Sequence, residues 1–226
     1  LITEIARKLE LQMIISNQTH GATLDKEPDI VKLVRDGGWD RVYIVEMPGV
    51  KTEKKLQKLG VEVVIIDHHH YTHLDRAHSM KTGQLLPSSL EQFLKLFRIT
   101  DKRLKAWGFD PVLVRGVGVM DRGFIWELRE EDYKEKDVRR VLRYWQKLSL
   151  QISGNNKEDK RQEAVARRAW KNRKKWGSFT VIENPTDVSI RLRVSFYVAL
   201  EIKEPLAMIL VAKKRNLIYV QESEHS

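Results

Sequence analysis

The feature that most constrains this chain is a succession of short apolar runs, continuous rather than alternating, set between short amphipathic stretches. Arg41–Glu46 (RVYIVE) and Val61–Asp67 (VEVVIID) are the clearest of these runs. Leu11–Ser16, with Met13, Ile14 and Ile15, reads as an earlier one. A strand apolar at consecutive positions is buried on both faces, which is the signature of a parallel sheet covered by helices. The intervening stretches supply those helices. Leu1, Ile2, Ile5, Ala6 and Leu9 recur at helical spacing, and Pro28 precedes Ile30, Val31, Leu33 and Val34, with Gly37-Gly38 as the stop. Lys51–Leu59 forms a third helix, closed by Gly60. Strand and helix alternating at this pace predict βαβ units, hence an α/β fold with a parallel, doubly wound sheet.

Further along, Ser88-Ser89-Leu90-Glu91 has the form of a capping box ahead of Leu90, Phe93, Leu94 and Phe97 on one helix face. Val112–Arg115 reads as a fourth strand and Gly116–Asp121 as a loop or strand end. Val138, Val141, Leu142, Trp145 and Leu148 form one helical stripe, broken at Ser153–Asn156. Lys157–Lys175 carries nine basic and three acidic residues with Trp170 inside it and Trp176 beyond, a pattern that fits a solvated helix or a nucleic-acid contact. Phe179–Ile182, Leu206–Val211 and Leu217–Gln221 read as strands, the last two turning at Lys213–Asn216, while 188–202 fits strand and helix equally. The organisation expected is a first domain over 1–125, a helical basic linker over 126–175, and the start of a second, smaller α/β domain over 176–226.

Composition narrows the chemistry. Cysteine is absent from the 226 residues. Disulfide frameworks, thiolate zinc sites, iron–sulfur clusters and cysteine nucleophiles are thereby excluded, and any metal must be held by carboxylates and histidines. Forty-one Lys and Arg against 31 Asp and Glu give a net charge of +10, which favours a polyanionic partner. No apolar run approaches the roughly 18–20 residues that cross a bilayer, and no apolar leader is visible, so the expected location is cytoplasmic.

The strongest chemical signal is Asp67-His68-His69-His70 at the end of an apolar strand. Ligands of open parallel sheets bind at the carboxyl ends of strands, and imidazole with carboxylate suits Mn²⁺, Fe²⁺ or Zn²⁺. Glu46 closes the preceding strand, and Asp121 closes the segment Val112–Met120. Together these residues could converge on one or two divalent ions about 3.5–4 Å apart. Arg122, beside Asp121, fits either a phosphate clamp or a structural ion pair. Gly116-x-Gly118 lacks the third glycine of a dinucleotide loop.

Val64-Ile65-Ile66-Asp67-His68-His69 resembles the signature of the DHH phosphoesterase superfamily, which includes RecJ-type exonucleases, nano-RNases, cyclic-dinucleotide phosphodiesterases and family II pyrophosphatases. YIVEMPG is similar to that family's second motif and GVGVMDRG (Gly116–Gly123) to its fourth, in matching order over about residues 1–125. The stretch from Lys157 onward is similar to the linker and the start of the DHH-associated domain. The resemblance implies two Mn²⁺ ions, with Mg²⁺ as a substitute, that activate a water for in-line attack on a phosphodiester. It implies that Glu46 bridges the ions, that His68 and Asp121 bind one of them, that Asp67 binds metal and orients the site, and that His69 contacts the substrate phosphate, with Arg122 alongside. The implied partner is single-stranded nucleic acid or a short oligonucleotide, with no membrane; a homodimer is open.

Three departures from the family's pattern leave two explanations open: both ends of the natural protein lie outside this segment, or the chain is a degenerate DHH-fold module that binds nucleic acid or serves assembly without catalysis, which Glu46 and the missing first motif favour. The family's Asp-x-Asp first motif does not occur before the opening helix; His20, Asp25 and Glu27 follow the wrong strand to replace it. Glu46 stands where the family has Asp, and the glycine-rich, His-containing loop of the associated domain does not occur before Ser226.

Overall fold

The computed structural model describes residues 1–18, 21–68, 86–153 and 156–221. The protein is mixed α/β and divides into two compact units, Leu1–Tyr144 and Trp145–Ser226.

The first unit is built on two parallel strands, β1 (Arg41–Val45) and β2 (Glu62–Ile66), in the register Arg41↔Glu62 to Val45↔Ile66. Both faces are covered, as their unbroken apolar runs predict. On one side Tyr43, Val45 and Ile66 pack with Ile5 and Ala6 of α1 (Ile2–Lys8), Leu90, Phe93 and Leu94 of α4 (Ser89–Leu96), Leu104 of α5 (Asp101–Ala106) and Val114 of α6 (Pro111–Glu130). On the other side Val42, Ile44, Val63 and Ile65 meet Val34 of α2 (Ile30–Asp36) and Leu56 of α3 (Val50–Lys58). The expected helices are therefore present, and the parallel sheet is present as a pair.

Two expected strands are not. Leu11–Ser16 forms no regular element: Ile14 and Ile15 are exposed, and Ser16 turns away to donate to Glu27 Oε2 at 2.6 Å. Val112–Met120 lies in α6 instead of a strand and loop. Asp110 caps that helix, its Oδ1 accepting from Val112 N–H at 3.0 Å, and Pro111 occupies the first turn, where a missing N–H costs nothing. Tertiary packing then overrides the strand preference of its valines. Gly116 and Gly118 are packing positions on opposite sides of the helix. A Cβ on Gly116 would come 2.4 Å from Val141 Cγ2, and one on Gly118 would come 3.0 Å from Ser88 Oγ. The helix breaks at Phe124, whose φ of +63° and ψ of −157° are non-helical.

α7 (Glu135–Ser153) carries the expected stripe, with Val138, Val141 and Leu142 buried. It crosses the boundary between the units, which falls before Trp145.

In the second unit, α8 (Asn156–Lys171) precedes a mixed sheet of β3 (Lys174–Trp176), β4 (Phe179–Asn184), β5 (Met208–Ala212) and β6 (Leu217–Gln221), in that order. β4 and β5 are parallel, joined through α9 (Arg191–Tyr197) and a π-helical turn over Val198–Ile202, which resolves the ambiguous 188–202 as helix from Arg191 onward. β5 and β6 form the expected antiparallel pair, with Asn216 in the left-handed conformation. Thr180, Ile182, Met208, Leu210 and Ala212 face the buried side of this sheet, whereas Ile218 and Val220 are exposed on the other. Trp170 is buried, stacked on Tyr197 with its indole N–H donating to Glu201 Oε2 at 2.7 Å, so it fills a core; Trp176 is 69% exposed. Part of the basic run is neutralised locally, by Arg161–Asp187 and Arg167–Glu163 ion pairs. No helix among the described residues is long and apolar enough to cross a membrane.

The glycine contact is directly testable. Gly116→Ala is expected to cost about 1–3 kcal/mol of stability by overpacking, read as a lower urea midpoint. Gly116→Ala/Val141→Ala should be less destabilised than the sum of the single variants, because the two sites share one contact.

Candidate metal centre

Parallel register does the first part of the assembly. Val45 lies opposite Ile66, so Glu46 and Asp67 leave neighbouring strands at the same carboxyl end, and Glu46 N–H donates to Ile66 C=O at 3.1 Å. Glu46 adopts φ +58°, a left-handed conformation that costs a residue with a Cβ on the order of 1 kcal/mol and recurs at functional sites. The chain then turns through Met47-Pro48-Gly49. At Gly49 a Cβ would come 2.6 Å from Asp25 N, so this close approach requires glycine.

Asp67 and His68 are each 1% exposed. Glu46, Asp67 and His68 present ligand atoms that all lie within 4.8 Å of one another. His68 Nδ1 is 3.3 Å from Glu46 Oε1, and on the other edge of the ring Nε2 is 3.8 Å from Asp121 Oδ2. The four residues are thus brought together, but from two strand ends and a helix, not from three strand ends. Glu46 and Asp121 are partly exposed, so two buried donors open to solvent between two accessible carboxylates. Among the other expected site residues, His69 lies outside the described residues, as do His20, His70, His73 and His78.

Two contributors carry no signal of their own in the sequence. Ser89, the first residue of α4, donates its hydroxyl to Glu46 Oε1 and lies 3.3 Å from His68 Nδ1. Gln92, one turn later, donates to the Asp67 carbonyl at 2.9 Å. The capping box that makes them neighbours was legible: Ser88 Oγ accepts from Glu91 N–H at 3.3 Å, and Glu91 Oε2 accepts from Ser88 N–H at 2.8 Å.

Arg122 is engaged in ion pairs. Its guanidinium pairs with Glu91 and Glu127 at 2.9 Å each and with Glu131, and its side chain is 12% exposed. It thereby ties the α6 turn carrying Asp121 to the α4 turn carrying Ser89.

The donor set of two or three carboxylates and one imidazole fits a divalent ion of the Mn²⁺, Fe²⁺ or Zn²⁺ type. The electrostatics agree with a cation. The hydrogen bond with Glu46 holds the His68 imidazolium above its ordinary value of 6.5; burial opposes this, and the charges of Asp121, Glu46 and Asp67 reinforce it. A positive charge on or beside the ring is thus favoured at this position. The chain matches no known protein-family model and no curated protein.

Two measurements follow from this geometry. A raised folded-state value means that His68 contributes stability fully below about pH 6.5 and loses it as pH rises through that value. Metal-free protein should therefore lose urea stability as pH rises from about 6.5 through the raised folded-state value, and His68→Asn should flatten that slope. Arg122→Met leaves three carboxylates without their cation and is expected to cost about 3 kcal/mol. A phosphate clamp would instead give unchanged stability and weaker nucleic-acid binding.

Proposed function

We propose that this chain is a divalent-metal-dependent phosphodiesterase of the DHH type that hydrolyses single-stranded nucleic acid or short oligonucleotides. The observation that carries this reading is the convergence of Glu46, Asp67 and His68, with Asp121 beside His68, at the carboxyl end of a parallel strand pair. These four residues would hold the metal. An imidazole among the carboxylates favours Mn²⁺ over Mg²⁺, and two ions are the number the resemblance implies. When bound, the metal lowers the pKa of water and neutralises phosphate charge.

The chain's own groups do the rest. Three carboxylates in one hollow repel a phosphate until a cation offsets them, so substrate entry is tied to metal loading. Glu46 and Asp121 form the accessible side, and buried Asp67 and His68 form the floor. His69 completes the proposal as the contact to substrate phosphate. The net charge of +10 supports an oligonucleotide over a small phosphate ester, since several phosphates can be gripped together. A cytoplasmic location belongs to the same proposal.

Glu46 supports the second reading, a binding or assembly module without turnover. Its additional methylene shifts the carboxylate by roughly 1.5 Å from an aspartate's position, against a tolerance of about 0.5 Å for a productive site.

A labelled short RNA and its DNA equivalent, incubated with Mn²⁺, separate the two. Hydrolysis that stops with chelator and falls more than about 100-fold in His68→Ala and Asp121→Ala, beyond the loss typical of residues behind a ligand, is the expected result. Binding without turnover at any Mn²⁺ concentration would establish the module instead.

A further inference from the structure

We infer that Ser89 is a positioning residue of this centre: its hydroxyl sets the His68 proton on Nδ1 and leaves Nε2 as the ligand atom of the ring. The inference deepens the phosphodiesterase reading and rests on it for the ligand; the proton's place is a property of the chain alone.

A serine hydroxyl has one proton to give, and Ser89 gives it to Glu46 Oε1. Towards His68 Nδ1, 3.3 Å away, Ser89 Oγ therefore offers only lone pairs. Glu46 Oε1, also 3.3 Å from Nδ1, is a carboxylate oxygen and offers only lone pairs as well. A bare Nδ1 would set its own lone pair against two acceptors, so this nitrogen carries a hydrogen. In the neutral ring Nε2 is then unprotonated. Nε2 faces Asp121 Oδ2 at 3.8 Å, too far for a hydrogen bond. That separation lets both atoms reach one cation at about 2.0–2.2 Å each, as first-row metal ligands do.

The fold holds Ser89 in this task from several directions. It is 1% exposed and opens the first turn of α4 directly behind the Ser88 cap. The same turn is fastened to the His68 segment by Gln92 on the Asp67 carbonyl, and to the Asp121 turn by the Glu91–Arg122 pair. One helix end thus sets the direction of Glu46 and the tautomer of His68 together. An outer partner that fixes the tautomer and orientation of a metal-binding histidine typically accounts for 10–100-fold in metal affinity.

Two-bond ¹H–¹⁵N correlation spectra of metal-free protein with ¹⁵N-labelled histidine, at alkaline pH where the ring is neutral, read the tautomer directly. The wild type is expected to show His68 with the proton on Nδ1; a proton on Nε2 would overturn the inference whether or not any variant folds. Ser89→Ala should shift His68 towards a mixture of tautomers and weaken Mn²⁺ binding, followed by the EPR signal of free Mn²⁺, by about tenfold or more. Ser89→Thr keeps the hydroxyl and should restore both. A Ser89→Ala protein with the wild-type tautomer and wild-type Mn²⁺ affinity would overturn the inference. Wild-type protein that binds no Mn²⁺ would remove the phosphodiesterase reading and the ligand role of Nε2 with it, while the tautomer spectra would still decide what Ser89 does.

Discussion

The pairing of β1 with β2 is the constraint on which the centre depends. Both strands run the same way and stay in register to their last residues, so the chain delivers Glu46 and Asp67 side by side at one end of the sheet. A slip of one residue would turn every side chain to the opposite face. Such a slip would also break the fitted packing of Tyr43 and Ile66 against one helical layer and of Ile44 against the other, so burial on both sides is what holds the register that places the polar tip.

Around that tip, two helix ends do complementary jobs. The first turn of α4 orients Glu46 and His68 through Ser89 and holds the Asp67 carbonyl through Gln92. α6 brings Asp121, and Arg122 next to it links back to Glu91 in that same α4 turn. Close packing of α6 depends on Gly116 and Gly118, where any larger residue would collide with Val141 or with Ser88. Small residues, a cap and a part-buried ion network together give a polar cluster the fixed positions that an apolar core alone does not specify.

The parts legible in the sequence were those written by local rules. Continuous apolar runs gave β1 and β2, acids and histidine at their ends gave Glu46, Asp67 and His68, and Ser88 with Glu91 gave the start of α4. Illegible parts were those settled by contacts distant in sequence. The valines of Val112–Val119 favour a strand locally, and only packing against α4 and α7 makes them a helix, although Asp110-Pro111 was a readable start. Ser89 looks like half of a cap until Glu46, forty-three positions earlier, is seen against it. Trp170 in a basic stretch suits base stacking equally well until Tyr197 and Glu201 claim it for a core. Leu11–Ser16 has a strand's composition but lacks a partner edge among the described residues.

Asp121 stands far along the chain from Glu46, with α3, β2, α4 and α5 between them. Any cation gripped by both would act as a clasp across that whole span, closing a loop that the unfolded polypeptide could close only at considerable entropic cost. Occupancy and integrity of the first unit would then rise and fall together, and scarcity of the ion would be felt as loss of tertiary order as much as loss of chemistry.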